Sequence, residues 1–145
     1  MISVMKIVGI DYGDRYVGFA SCDSGLLVAV PVGAEKVGSM REAVSAAERI
    51  VRERDAGLVV IGLPLLPDGS EGDRASKTRA FGRVLERVTG VRVDYFDERY
   101  STLEAEEYLA SGGVKPRDMK KHTDELSALI ILNDYVNANK DALKE

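Results

Sequence analysis

Three short apolar segments joined by turns fill the first third of the chain, and they restrict its fold more than any other feature. They cover residues 5–11 (MKIVGID), 16–22 (YVGFASC) and 26–32 (LLVAVPV), with turn-forming residues at 13–14 (GD) and 23–25 (DSG) between them. Strands connected by such short turns pair in the antiparallel direction. We therefore predict a three-stranded antiparallel meander.

The apolar pattern then changes to the period of a helix. Ser39 and Glu42 form a capping box at the start of a helix predicted over residues 39–55. The apolar residues of this helix recur every three or four positions: Ala43, Ala46, Ala47, Ile50 and Val51. Residues 58–63 (LVVIGL) are continuously apolar, which predicts a strand buried on both faces.

The rest of the chain predicts two more helices and a strand before the last helix begins. These elements are, in order, a helix over residues 74–89, a strand over 91–96, a helix from a capping box at 101–104 to the glycines at 112–113, a basic loop over 115–122 and a last helix over 123–139. A meander followed by β-α-β units predicts an α/β fold with a mixed five-stranded sheet flanked by helices. No composition shift resembles a linker, so we predict one domain over residues 1–145, with its core between about residues 5 and 138.

Composition narrows the class of protein. The chain has 145 residues, a length that suits one domain with a sizeable core. It has no apolar run near the roughly 18–20 residues of a membrane span and no signal-peptide layout, so we expect a cytoplasmic protein without a membrane partner. Cys22 is the only cysteine, which excludes an intrachain disulfide and a cysteine-based zinc site. The net charge of -4 by itself disfavours a polyanionic partner.

Acidic residues fall where the predicted strands end, which is where open α/β sheets bind ligands. Asp11 ends the first strand, Asp97 and Glu98 follow the fifth, and Asp124 opens the last helix. Asp124 also begins a helical face that continues through three apolar or aromatic residues, Ala128, Ile131 and Tyr135. Converging carboxylates repel one another, and a divalent cation relieves that repulsion. Oxygen ligands suit Mg²⁺ or Mn²⁺, which support phosphodiester hydrolysis in two-metal sites.

Each acid also has a simpler interpretation. Asp11 could form a turn, Glu98 could pair with Arg99 on the surface, and Asp124 could interact with the helix dipole. Neighbouring strand residues point to opposite faces, so only one of Asp97 and Glu98 should face a metal site. The joint placement of the acids favours the metal site over these readings.

Basic charge is concentrated in two segments despite the net acidity. Residues 74–87 hold five basic residues and one acidic residue, and residues 115–122 hold four basic residues and one acidic residue. Either segment could bind phosphates near the carboxylates, or its residues could simply solvate an exposed helix face. We favour phosphate binding for Arg74, Lys77 and Arg79, because they begin a helix beside the loop after the fourth strand.

Four segments of the chain resemble the YqgF/RuvX family of the ribonuclease H-like superfamily, whose members are described as Holliday junction resolvases and as pre-16S rRNA nucleases. The segments are GIDYG at residues 9–13 with VG at 17–18, GLP at 62–64 with DGSE at 68–71, DER at 97–99 with ST and EA at 101–105, and DE with SA and IIL at 124–132. Together they extend over about residues 5–135, nearly the whole chain.

The resemblance implies a ribonuclease H-like fold and metal-dependent cleavage of phosphodiester bonds. It implies that Asp11, Glu98 and Asp124 are the catalytic and metal-binding set, with Mg²⁺ or Mn²⁺, and it favours Glu98 over Asp97. The expected partner is structured RNA or branched DNA, bound by a monomer or a homodimer. The residues predicted to bind nucleic acid are Arg74, Lys77, Arg79, Arg99, Lys120 and Lys121. The alternative is a factor that binds nucleic acid in ribosome maturation or transcription without cutting it.

Overall fold

A computed structural model describes residues 5–23, 28–98 and 116–139, and for residues 116–124 it describes only the helical backbone. The strands are β1 (Lys6–Tyr12), β2 (Tyr16–Asp23), β3 (Ala29–Lys36), β4 (Leu58–Leu63) and β5 (Arg92–Asp97). The helices are α1 (Met40–Glu53), α2 (Asp73–Thr89) and α3 (Pro116–Ala138). The helix predicted from residue 101 lies outside the described residues.

The five strands form one mixed sheet in the order β3-β2-β1-β4-β5. β1, β2 and β3 pair antiparallel, whereas β4 pairs in parallel with both β1 and β5. The predicted meander and the predicted mixed sheet are therefore confirmed. The two parallel pairings of β4 bring the carboxyl ends of β1, β4 and β5 to the same edge, which we call the carboxyl edge.

The bounds of two predicted elements were wrong. β3 covers Ala29–Lys36 rather than residues 26–32, and a register shift opposite Phe19 and Ala20 lets the strand keep pairing past Pro31. As an edge strand, its last residues carry little apolar pattern. The predicted basic loop at 115–122 is instead the start of α3 at Pro116. Proline suits the first helical turn, and the Arg, Met and Lys residues that follow favour a helix without needing an apolar face.

The sheet separates two apolar clusters. Val8, Ile10 and Val59 face α1 and α2, whereas Ile7 and Val60 face α3. β4 is buried along its whole length, as predicted. Cys22 belongs to the α3 cluster, where burial raises the pKa of its thiol to about 11. In the described part of the chain, no helix has the length and apolar character needed to cross a membrane.

Candidate active site

Asp11 lies at the carboxyl edge on the α3 face of the sheet. Side chains alternate along β1, and Ile7 of this strand packs in the α3 cluster. At Gly9, an added Cβ would lie 2.8 Å from Cβ of Leu132, so glycine lets α3 approach the strand closely. Asp11 is the next residue of this face. It is half-buried, which suits a carboxylate that must meet both the protein and a ligand.

Glu98 reaches the same face from β5. Its backbone N–H donates to the carbonyl of Leu63 at 3.1 Å, so strand pairing continues one residue beyond β5. The alternation therefore also continues, and Glu98 follows Phe96 onto the α3 face. Asp97 is exposed and belongs to the opposite face. Of these two acids, Glu98 is the one that shares the face of Asp11.

Gly62 separates the two acids and leaves space for them. In the pairing of β1 with β4, Ile10 lies opposite Ile61, so the next row brings Asp11 beside Gly62. A Cβ at residue 62 would lie 2.7 Å from Cδ of Glu98 and 2.5 Å from Cδ1 of Ile131. The Glu98 carboxyl group thus occupies the volume that any other residue at 62 would need.

The direction of α3 carries Asp124 toward the same edge. Ile131 packs beside Gly62, whereas the Tyr135 hydroxyl donates to Asp94 at 2.8 Å, two residues before Phe96 in β5. The helix therefore runs away from the carboxyl edge as the chain proceeds. Asp124 precedes Ile131 by seven residues, which is about 10 Å of helix toward that edge.

The predicted face of α3 is buried where its side chains are described. The exposed fractions of Ala128, Ile131 and Tyr135 are 0%, 1% and 7%. The side chain of Asp124 lies outside the described residues. Among the side chains that are described, no three His, Cys, Asp or Glu residues come close enough to hold a metal ion. The structure thus brings Asp11 and Glu98 to one face of one edge, and it brings the backbone of Asp124 toward them.

Arg74 connects α2 to the turn that follows Asp11. Its guanidinium pairs with Asp14 at 2.6 Å and donates to the carbonyl of Tyr12 at 2.9 Å. It also lies 5.8 Å from the centre of the Tyr12 ring, which stacks on Phe81. Burial raises the pKa of Tyr12, and the charge of Arg74 acts in the opposite direction. The ion pair between Arg74 and Asp14 was not predicted from the sequence, although Asp14, two residues after Tyr12, was a signal for it.

Arg79 also has partners within the protein. It donates to both carboxylate oxygens of Glu71, at 2.6 and 2.9 Å, and lies 4.8 Å from the centre of the Tyr95 ring. These hydrogen bonds lower the pKa of Glu71 and raise that of Arg79. Lys77, between the two arginines, is exposed. Phosphate binding by the three residues stays a prediction.

The other predicted nucleic-acid contacts fall where less is described. Arg99 lies outside the described residues. Lys120 and Lys121 belong to the first half of α3, close before Asp124, and only their backbone is described.

The family model named RuvX and described as Holliday junction resolvase matches residues 5–138. The chain belongs to the RuvX family. Among curated relatives, a protein of Syntrophus aciditrophicus is 40% identical over 92% of this chain and 89% of its own length. One of Anaeromyxobacter is 37% identical over 92% of this chain and 97% of its own length. Both are named "Putative pre-16S rRNA nuclease". RuvX membership confirms the predicted enzyme class, a nuclease that hydrolyses phosphodiester bonds.

Solved structures support the ribonuclease H-like fold of this RuvX chain. Thermus thermophilus RuvC in complex with a Holliday junction substrate superposes with a TM-score of 0.56 at 15% identity, covering 93% of this chain and 95% of that one. The fowlpox virus Holliday junction resolvase gives a TM-score of 0.56 at 13% identity, covering 92% and 99%. At these identities the likeness concerns the fold alone, and it confirms the predicted fold class.

Proposed function

We propose that this chain is a metal-dependent endonuclease that cleaves phosphodiester bonds in structured nucleic acid, with Asp11, Glu98 and Asp124 as its catalytic and metal-binding residues. One observation carries the proposal. Gly62 has no side chain, so the Glu98 carboxyl group lies over β4 on the face and at the edge that Asp11 occupies. A side chain at residue 62 would close this space.

The residues at this edge fit Mg²⁺ or Mn²⁺. The proposed ligands are carboxylates, which these hard cations prefer, and the only histidine and cysteine of the chain are not among them. Cys22 is buried in the α3 cluster and holds its proton, because burial raises the pKa of its thiol. A bound ion would supply an activated water and stabilise the leaving oxygen. Asp11 and Glu98 would hold the ion in a fixed place, because β1 and β5, the strands that deliver them, both pair with β4 of the same sheet.

Positive charge near this edge supports binding to the phosphate backbone of a nucleic acid. Arg74 is held at the turn after Asp11, and Lys77 is exposed less than one turn further along α2. Lys120 lies one helical turn before Asp124, next to Lys121. These residues would bind phosphates near the acids, and Arg79 and Arg99 remain predicted contacts. The net acidity of the chain does not oppose this, because a bound cation reverses the local charge of the acids.

We infer that the substrate is ribosomal precursor RNA, since the curated relatives are named as nucleases of pre-16S rRNA. Cleavage at the 5′ end of that RNA is what the family resemblance implies. The description of the matching family as Holliday junction resolvase makes a four-way DNA junction the second candidate. A symmetric dimer would suit the junction, since two related strands must be cut, whereas RNA processing needs only a monomer.

The test is cleavage of a matched panel with Mg²⁺ or Mn²⁺, comprising precursor RNA, a four-way DNA junction and a plain duplex. Asp11→Asn should abolish cleavage and leave the melting temperature nearly unchanged. Asp97→Asn is the matched control, because it neutralises the acid next to Glu98 on the opposite face, and it should cleave like the wild type. Full activity of the Asp11 variant would overturn the assignment.

A further inference from the structure

Ser127 has a buried hydroxyl whose hydrogen-bonding capacity no described residue around it satisfies. Its exposed fraction is 0%, and its Oγ has no hydrogen-bond partner among the described residues. A serine or threonine inside a helix usually donates to the carbonyl four residues earlier. Thr78 and Thr89 of α2 do so, to the carbonyls of Arg74 and Leu85. Ser127 makes no such bond, so it carries a cost in stability that the fold itself does not offset.

The position of Ser127 along α3 places it next to the proposed acidic site. It precedes Ile131 by four residues, so it lies one turn nearer the carboxyl edge on the same stripe of α3. Ile131 contacts the place beside Gly62 that the Glu98 carboxyl group occupies. Asp124 lies three residues before Ser127, again on this stripe. Ser127 is therefore between the helix turn that packs on Glu98 and the turn that carries the third proposed acid.

We propose that Ser127 is a positioning residue of the acidic site. With a divalent cation held by the proposed acids, the Ser127 hydroxyl would donate a hydrogen bond to one of their carboxylate oxygens and fix the orientation of that carboxylate. This inference rests on the proposed metal-dependent function. It adds a residue outside the acidic set, and it explains why a buried polar group is kept on a helix face that otherwise packs apolar side chains.

Mn²⁺ binding measured by calorimetry separates this role from a purely structural one. In the absence of metal, Ser127→Ala should melt at the wild-type temperature or above it, because the substitution removes an unsatisfied buried hydroxyl. Its dissociation constant for Mn²⁺ should rise about 10- to 150-fold, the effect of one lost hydrogen bond to a charged group. Ser127→Thr keeps the hydroxyl and should retain the wild-type affinity even if its extra methyl group lowers the melting temperature.

The matched control is Thr78→Val, which removes a buried hydroxyl of similar size on α2, across the sheet. This variant should have a lower melting temperature, because the Thr78 hydroxyl donates to the carbonyl of Arg74. Its Mn²⁺ affinity should be unchanged. If the wild type binds Mn²⁺ and Ser127→Ala binds it equally well, the role of Ser127 is overturned and the acidic site stands. If the wild type does not bind Mn²⁺, the metal site and the role of Ser127 both fail.

Discussion

The Tyr135 hydroxyl donates a hydrogen bond of 2.8 Å to Asp94, which ties α3 to the edge strand β5. Burial, together with this bond and the charge of Asp94, raises the pKa of Tyr135 to about 12. The contact lies two residues before Phe96 on the strand that delivers Glu98. It therefore sets the position of α3 relative to the strand that carries one of the proposed acids.

We expect Tyr135 to make stability depend on pH in the alkaline range. Its pKa is about 12 in the folded protein and about 10 in an unfolded chain, so the neutral form is favoured by folding. The stability gained from this is complete below pH ~10 and is lost as the pH rises toward ~12. In urea unfolding between pH 8 and 11, the free energy of unfolding should fall less with pH for Tyr135→Phe than for the wild type. An equal fall in both proteins would contradict this role of Tyr135.

Gly62→Ala should damage both packing and activity. Its Cβ would lie within 2.7 Å of the Glu98 carboxyl group and 2.5 Å of Ile131. We expect a loss of about 1–3 kcal/mol in the free energy of unfolding and a fall in cleavage of about 100-fold, since Glu98 must move. Gly57→Ala is the control, because its Cβ would make an ordinary contact of 3.4 Å with Met5. A fully active Gly62 variant would remove the main support for the acidic site.

Arg74→Ala should weaken binding of nucleic acid and reduce the slope of log affinity against log salt by about one, if this guanidinium contacts a phosphate. Its partner supplies the control. Asp14→Asn removes the 2.6 Å ion pair but keeps the guanidinium, so affinity should stay the same or increase. Fluorescence anisotropy over a salt series measures both. A loss of affinity in both variants would indicate that Arg74 acts only by holding the turn.

Lys120→Ala combined with Lys121→Ala should weaken binding of nucleic acid and change the melting temperature little. Two lost phosphate contacts predict a salt slope that is reduced by about two. Lys6→Ala is the matched control, because Lys6 is exposed at the start of β1, the end of the strand opposite Asp11. It should bind like the wild type. A large fall in melting temperature with unchanged affinity would assign the α3 lysines to helix stability.

The sequence predicted those parts of the fold in which local pattern and burial agree. The bounds of β4 were predicted correctly because every residue from Leu58 to Leu63 is buried and apolar. The Ser39 cap was predicted from the spacing of a capping box, which is local in sequence, and its hydroxyl accepts from the Glu42 N–H at 3.2 Å. The start of α3 at Pro116 could not be read from apolar period, because its first two turns are almost entirely polar.

The candidate site was predictable as a set of acids but not as an arrangement in space. The sequence left Asp97 and Glu98 as alternatives, because the end of a strand cannot be fixed to one residue from pattern alone. Their faces follow from a single long-range bond, from Glu98 N–H to Leu63. The partners of Arg74 and Arg79 were missed because Asp14 and Glu71 meet them only through the tertiary fold or across a loop.

The division of the interior into two apolar clusters has a practical consequence for engineering. The proposed acids and Ser127 all belong to the α3 side, whereas Phe81, Leu85 and most of α1 belong to the other side. A designer who wants a more heat-resistant protein can therefore repack the buried residues of α1, a helix that carries none of the proposed acids or predicted nucleic-acid contacts. Changes to the α3 layer would instead fall next to the proposed acids.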